Sequence, residues 1–262
     1  MAAKLISMLF VISALPAIAA TTTFLSVADN TLIEDVTGSR SNGIGDAVYV
    51  GLTQRDGDRR GLLRFDLSSL PAASIVDSAR LKLTLVRARP ENFNLNLHQA
   101  SASWGEGASA SVGGVGAPAR PGDATWFHRS FAANPARLWS QPGGDFAPAA
   151  SASLLVPAAL AEGAALMLAG NGMRAQVQAW VTSPATNHGW VLVATSDVVP
   201  GAPSASAKAF ASREHPTTAY RPTLEVTWTA PAPGGGDDDI PVPAWALLLL
   251  GATLAVSLGR KR

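Results

Sequence analysis

Apolar and polar residues alternate with a period of two in stretch after stretch of this chain, the pattern of strands with one buried and one wet face. In Leu62–Leu67, the side chains of Leu63, Phe65 and Leu67 fall on one face and those of Arg64 and Asp66 on the other. Leu81, Leu83 and Leu85 alternate with Arg80, Lys82 and Thr84, and Phe93, Leu95 and Leu97 with Asn92, Asn94, Asn96 and His98. Val48, Val50 and Leu52 form another such set, as do Leu224, Val226 and Trp228. Trp190–Ala194 is apolar throughout and reads as a more fully buried strand. Gly- and Pro-containing turns separate these runs, including Thr37-Gly38-Ser39, Asp56-Gly57-Asp58, Leu70-Pro71 and Pro121-Gly122-Asp123. One short helix is expected, over Arg174–Thr182. Many strands and little helix predict an all-β fold, an antiparallel β-sandwich of the jelly-roll kind. No fixed-period repeat points to a propeller or solenoid. The Gly/Ala/Ser/Pro-rich stretch from Ala100 to Phe146 is expected to form long surface loops.

The two ends are of another kind. Residues 1–19 have a basic Lys4, a short apolar run from Leu5 to Leu15, and Ala17-Ile18-Ala19, which fits a signal peptidase site with cleavage after Ala19. Residues 230–239 form a Pro/Gly/Asp linker. In residues 240–262, the apolar run Ile240–Leu258 is long enough for a membrane-spanning helix, and the end is Arg260-Lys261-Arg262, which should stay cytoplasmic. The sandwich domain, residues 20–229, is therefore expected outside the inner membrane: anchored facing the periplasm, then at the cell surface or in the extracellular matrix.

Composition excludes several classes of function. The 262 residues carry 20 Lys+Arg against 19 Asp+Glu, a formal net charge of +1, so no basic surface for nucleic acid is expected. Without cysteine there is no disulfide, thiolate metal site or cysteine nucleophile. No HExxH or GxSxG motif accompanies the four histidines. Asp56, Asp58 and Asp66 match too little of a calcium loop and read as a solvated turn, so neither metal nor cofactor is expected. Glu106 and Asp123 supply the residue types of a glycosidase pair, but sequence does not bring them together.

Three groups remain as site candidates. Trp104, Trp126 and Trp139 lie in loop-rich sequence and are read as an exposed aromatic platform for sugar rings, whereas Trp180, Trp190 and Trp228 lie on apolar-patterned segments and are read as core. Asn94, Asn96 and Arg129 would add hydrogen bonds to the platform. Arg64, mid-strand among apolar neighbours, is expected to join Arg213 and Glu214 in a buried ion pair linking early and late strands.

Longer stretches carry a resemblance. These are Ser26–Asn30, Gly61–Pro71 (GLLRFDLSSLP), Ser78–Leu85, Ser103–Gly107 (SWGEG), Gly122–Trp126 (GDATW), Val177–Leu192, Ala207–Glu214 (AKAFASRE) and Arg221–Trp228. In this order they resemble the DNRLRE-domain family, which is related to repeats of archaeal disaggregatase and to certain carbohydrate-binding modules. The chain departs from the family pattern by an Ala/Gly/Pro insert between Ala110 and Gly122. The resemblance implies a jelly-roll domain of a secreted polysaccharide-active or cell-surface protein, some members binding acidic polysaccharide such as alginate. The tail, with Ile240, Pro241, Pro243 and Trp245, resembles the IPTL and PEP-CTERM class of sorting signals, which implies processing by an exosortase-type or rhombosortase-type protease or transpeptidase. The expected function is non-catalytic polysaccharide binding at the envelope. A structural spacer without a ligand is the alternative, and a polysaccharide lyase or hydrolase the third reading.

Overall fold

A computed structural model describes residues 19–53, 57–195 and 206–230, which belong to one compact unit. In chain order the strands are β1 (Ala19–Ile33), β2 (Arg40–Ser41), β3 (Ala47–Leu52), β4 (Asp58–Phe65), β5 (Ile75–Arg87), β6 (Phe93–Ala100), β7 (Ala117–Pro118), β8 (His128–Ser130), β9 (Arg137–Leu138), β10 (Phe146–Val156) and β11 (Ala165–Ala169). Helix α1 (Asn171–Thr182) follows, then β12 (Trp190–Thr195), β13 (Lys208–Ala211) and β14 (Thr223–Thr229).

The architecture is all-β and antiparallel, as the alternation predicts. The pairing order runs β1-β14-β5-β13-β3-β4-β12-β6-β10, with β11 on β5. β1 belongs to both layers of the sandwich. Its first half, Ala19–Leu25, pairs with β14, and its second half, from Ser26 on, pairs with β4 with a bulge between Ser26 and Ala28. Ala19, the residue before the expected cleavage point, is the first strand residue described and lies opposite Thr229. Ala17 and the tail residues Ile240, Pro241, Pro243 and Trp245 lie outside the described residues. Among the described residues, no helix is long and apolar enough to cross a membrane.

The core between the layers is built by the residues that alternation selects. Leu63, Phe65, Leu81, Leu83, Leu85, Phe93, Leu95, Leu97, Leu224 and Val226 are all buried in one cluster with Trp180 and Trp190. Burying a side chain of this size contributes about 1.5–3 kcal/mol. Helix α1 closes the core with Met173, Val177, Trp180 and Val181, an i, i+4, i+7, i+8 stripe. It stops at Ser183 because Pro184 disfavours helical geometry in the residue before it. Gln178 fixes the helix to the sheet: its Oε1 accepts from Val76 N at 2.7 Å and its Nε2 donates to Ser74 O at 3.0 Å.

Strand β3 differs from its pattern. Leu52 is only partly buried, whereas Tyr49, on the other face, is buried with Ala47 and Ala209. The reason is the 110–122 insert, which covers that face; Tyr49 Oη reaches Val112 O at 3.5 Å.

Candidate functional site

The outer face of the β4–β12 layer is itself apolar, because Leu62 and Val191 point away from the core between the layers. Apolar area of this kind demands cover, and the 100–146 segment supplies it. Trp104, Trp126 and Trp139 fold down onto Leu62, Val191, Ala28 and Leu32 as a second buried cluster. The three indoles are only 5–6% exposed, so they do not form the sugar platform expected from their loop-rich surroundings. Two are also fixed by hydrogen bonds, Trp104 Nε1 to His188 O at 2.8 Å and Trp139 Nε1 to Thr125 O at 2.9 Å. The stretch read as surface loops is a third layer of the domain. Asp123, fully buried within it, accepts from the backbone N–H groups of Ala108, Ser109 and Arg120.

Of the other platform residues, Asn94 and Asn96 lie on a different strand, whereas Arg129 stays beside the Trp104 segment, its carbonyl accepting from Gly105 N at 2.9 Å. Asn94 and Asn96 stand on the outer face of β6, where Asn96 Nδ2 donates to Thr195 Oγ1 at 3.1 Å and its Oδ1 accepts from Ser153 Oγ at 2.7 Å. Arg129 donates from Nε to Leu138 O at 3.1 Å. The Asn96 amide is thus engaged in a ladder across neighbouring strands.

A charged cluster joins three of the sequence stretches. Glu106 accepts from Arg213 Nε at 2.6 Å and Nη2 at 2.8 Å, and from Asp29 N at 2.9 Å. Arg213 Nε also lies 2.8 Å from Glu214 Oε1, and Arg213 N donates to Asp29 Oδ2 at 2.7 Å. The Arg213–Glu214 half of the expected ion pair is present, but Arg64 has no part in it; Glu106 takes its place. Burial, the neighbouring Glu214 and Glu106 push the Asp29 carboxyl well above the usual carboxylate range, against the bond from Arg213 N. Burial also raises Glu214. Oxygens of Asp29, Glu106 and Glu214 come within 4.8 Å of one another, a spacing open to a cation, but the Arg213 guanidinium already supplies positive charge among them. The carboxylates of Glu106 and Asp123 are thus engaged in holding the fold. Asp58 is likewise not in a solvated turn: it pairs with Arg60 at 3.2 Å, while Asp56 lies outside the described residues.

Arg64 instead borders a cleft. Strand alternation turns its side chain outward from β4, where Cζ lies 5.2 Å from the centre of the Trp104 ring. Among the described residues it has neither a carboxylate nor a hydrogen-bond partner. The cleft, about 590 Å³, is also lined by Val27, Asp66, Ser68, Trp180 and Asn187. Asp66 is exposed and accepts from Ser68 N at 2.9 Å. Asn187 Nδ2 donates to Phe65 O at 2.8 Å, which pins the 184–189 connection beside β4. In the same wall, Trp180 is 1% exposed and its indole N–H has no acceptor among the described residues, an uncommon state for a buried donor. The nearby His188 is held below its ordinary value by burial, then by the charges of Arg64 and Arg129.

Arg60, four residues earlier on the same strand face, makes the contrast plain. Its Cζ lies 4.9 Å from the Trp126 ring, yet its charge is met by Asp58, and Nη1 donates to Gly143 O at 2.9 Å. Both arginines stack on a tryptophan of the third layer, and only Arg64 lacks an acceptor. The sequence marked Arg64 as unusual but gave it the wrong partner; nothing in the alternation brings Trp180 and Asn187 to its side.

Comparison with known proteins returns no matching family model and no matching curated relative.

Proposed function

We propose that this protein is a non-catalytic, exported surface module that binds acidic polysaccharide in the Arg64 cleft. The observation that carries the reading is a guanidinium held against an indole at 5.2 Å, beside an open cleft and without a protein acceptor. Guanidinium presents several donors in a plane that matches a carboxylate in a two-point contact. A uronate carboxylate would meet Arg64, while Asp66, Ser68 and Asn187 offer polar groups to ring hydroxyls and Val27 an apolar contact. Arg64 and Arg129, which after burial lower the His188 ring's affinity for a proton, put positive charge near the cleft.

The wider reading is part of the proposal: a jelly-roll domain of the DNRLRE family, delivered by an N-terminal signal peptide and a C-terminal sorting signal to the periplasmic face of the inner membrane and onward to the surface or matrix.

The test is a titration of the exported domain with oligouronates from alginate and pectin and with neutral oligosaccharides of equal length. Saturable binding of the acidic set that weakens in Arg64→Met supports the reading. No binding of any of them at millimolar ligand would leave the spacer role as the better account.

A further inference from the structure

We infer that Trp104 is a positioning residue for ligand binding: it never touches the polysaccharide, and it sets the direction in which Arg64 presents its guanidinium to the cleft. This rests on the proposed role of Arg64. Trp104 is 5% exposed, too covered to offer a stacking face to a sugar, and it does not line the cleft. Its ring nevertheless lies 5.2 Å from Arg64 Cζ, within range of a cation–π contact.

The ring has little freedom. Its Nε1–H donates to His188 O at 2.8 Å. The next residue is held on both sides, Gly105 N donating to Arg129 O at 2.9 Å and Ala124 N to Gly105 O at 2.8 Å. Glu106 then grips Arg213 through both oxygens. The backbone also runs close beside the root of Arg64. Gly189 has φ +77° and lies so close that a β-carbon there would strike Leu63 O and come 3.0 Å from Arg64 Cβ. An unsupported arginine samples many rotamers, and each lowers the fraction of molecules ready to bind. The Trp104 ring reduces that sampling before the ligand arrives.

Three measurements test this. In wild-type protein without ligand, the Arg64 Nε–H resonance is expected to be ordered by NMR relaxation and shifted by the indole ring current; an averaged, mobile side chain would overturn the inference. Trp104→Leu should weaken oligouronate binding about tenfold, the order expected for a partly desolvated cation–π contact, while Trp104→Phe, which keeps an aromatic face, restores most of it. Equal losses in both variants at unchanged melting temperature would contradict a positioning role. Finally, the His188 ring, whose titration is lowered in part by Arg64, should titrate higher in ligand-free Trp104→Leu as the guanidinium moves away. The first and third measurements need no ligand. If Arg64→Met left oligouronate affinity unchanged, the binding role would fail while the positioning of Arg64 by Trp104 stood or fell on the NMR alone.

Discussion

Glu106 holds Arg213 through both carboxylate oxygens, at 2.6 and 2.8 Å, across 107 positions of the chain. Glu106 also accepts from Asp29 N, so this one side chain ties β1, the covering layer and the segment after β13 together. Glu106→Ala is expected to destabilise the domain by about 1–3 kcal/mol, the range for removing a charged partner from a partly buried hydrogen-bonded pair. Urea unfolding reads this directly; a change within experimental error would mean that the cluster does not tie the segments.

Asp29 gives stability an unusual pH dependence. Burial, with Glu214 and Glu106 alongside, makes the folded protein bind the Asp29 proton more tightly than the unfolded chain does. The stability contributed by this group is therefore complete below the ordinary value of 3.8 and is lost as pH rises through the higher folded-state value. Glu214 acts in the same direction. Asp29→Asn should gain stability relative to wild type as the buffer goes from about pH 4 to about pH 8. A difference that stays constant with pH, measured by urea midpoints, would contradict the buried raised carboxyl.

Trp139 separates a covering layer from an exposed platform. As a residue packed in the second cluster it should cost about 3–5 kcal/mol on truncation to alanine. A surface residue would change stability by less than about 0.5 kcal/mol.

How far the sequence reveals this arrangement depends on the range of each signal. Alternation places Leu63, Leu83 and Leu95 in the core because the side-chain period of a strand is local. The same alternation shows that Leu62 and Val191 face outward but is silent about what covers them, so the burial of the three tryptophans is not legible from it. The apolar run at Trp190–Ala194 held the missing signal: a strand buried on both faces needs a layer on each. Arg213 and Glu214 are neighbours and their pairing is legible. Glu106 is not, since only the closed fold brings it there.

If polysaccharide binds at Arg64, His188 is expected to link binding to pH. Burial, Arg64 and Arg129 lower its affinity for a proton, and a carboxylate on Arg64 would partly cancel the arginine charge. Binding should then take up protons, and oligouronate affinity should rise a few-fold as pH falls through and below about 6.5. His188→Gln should flatten that dependence, as measured by calorimetry in buffers of different ionisation heat. Equal slopes in both proteins would show that His188 does not sense the bound carboxylate.

The central claim is that the Arg64 cleft, and not the outer face of β6, takes the polysaccharide. Mapping amide shifts during titration with an oligouronate tests it most directly. The expected result is that Val27, Ser68 and Asn187 move along saturable curves while Asn94 and Asn96 stay in place. Shifts centred on Asn94 and Asn96 with a silent cleft would contradict it.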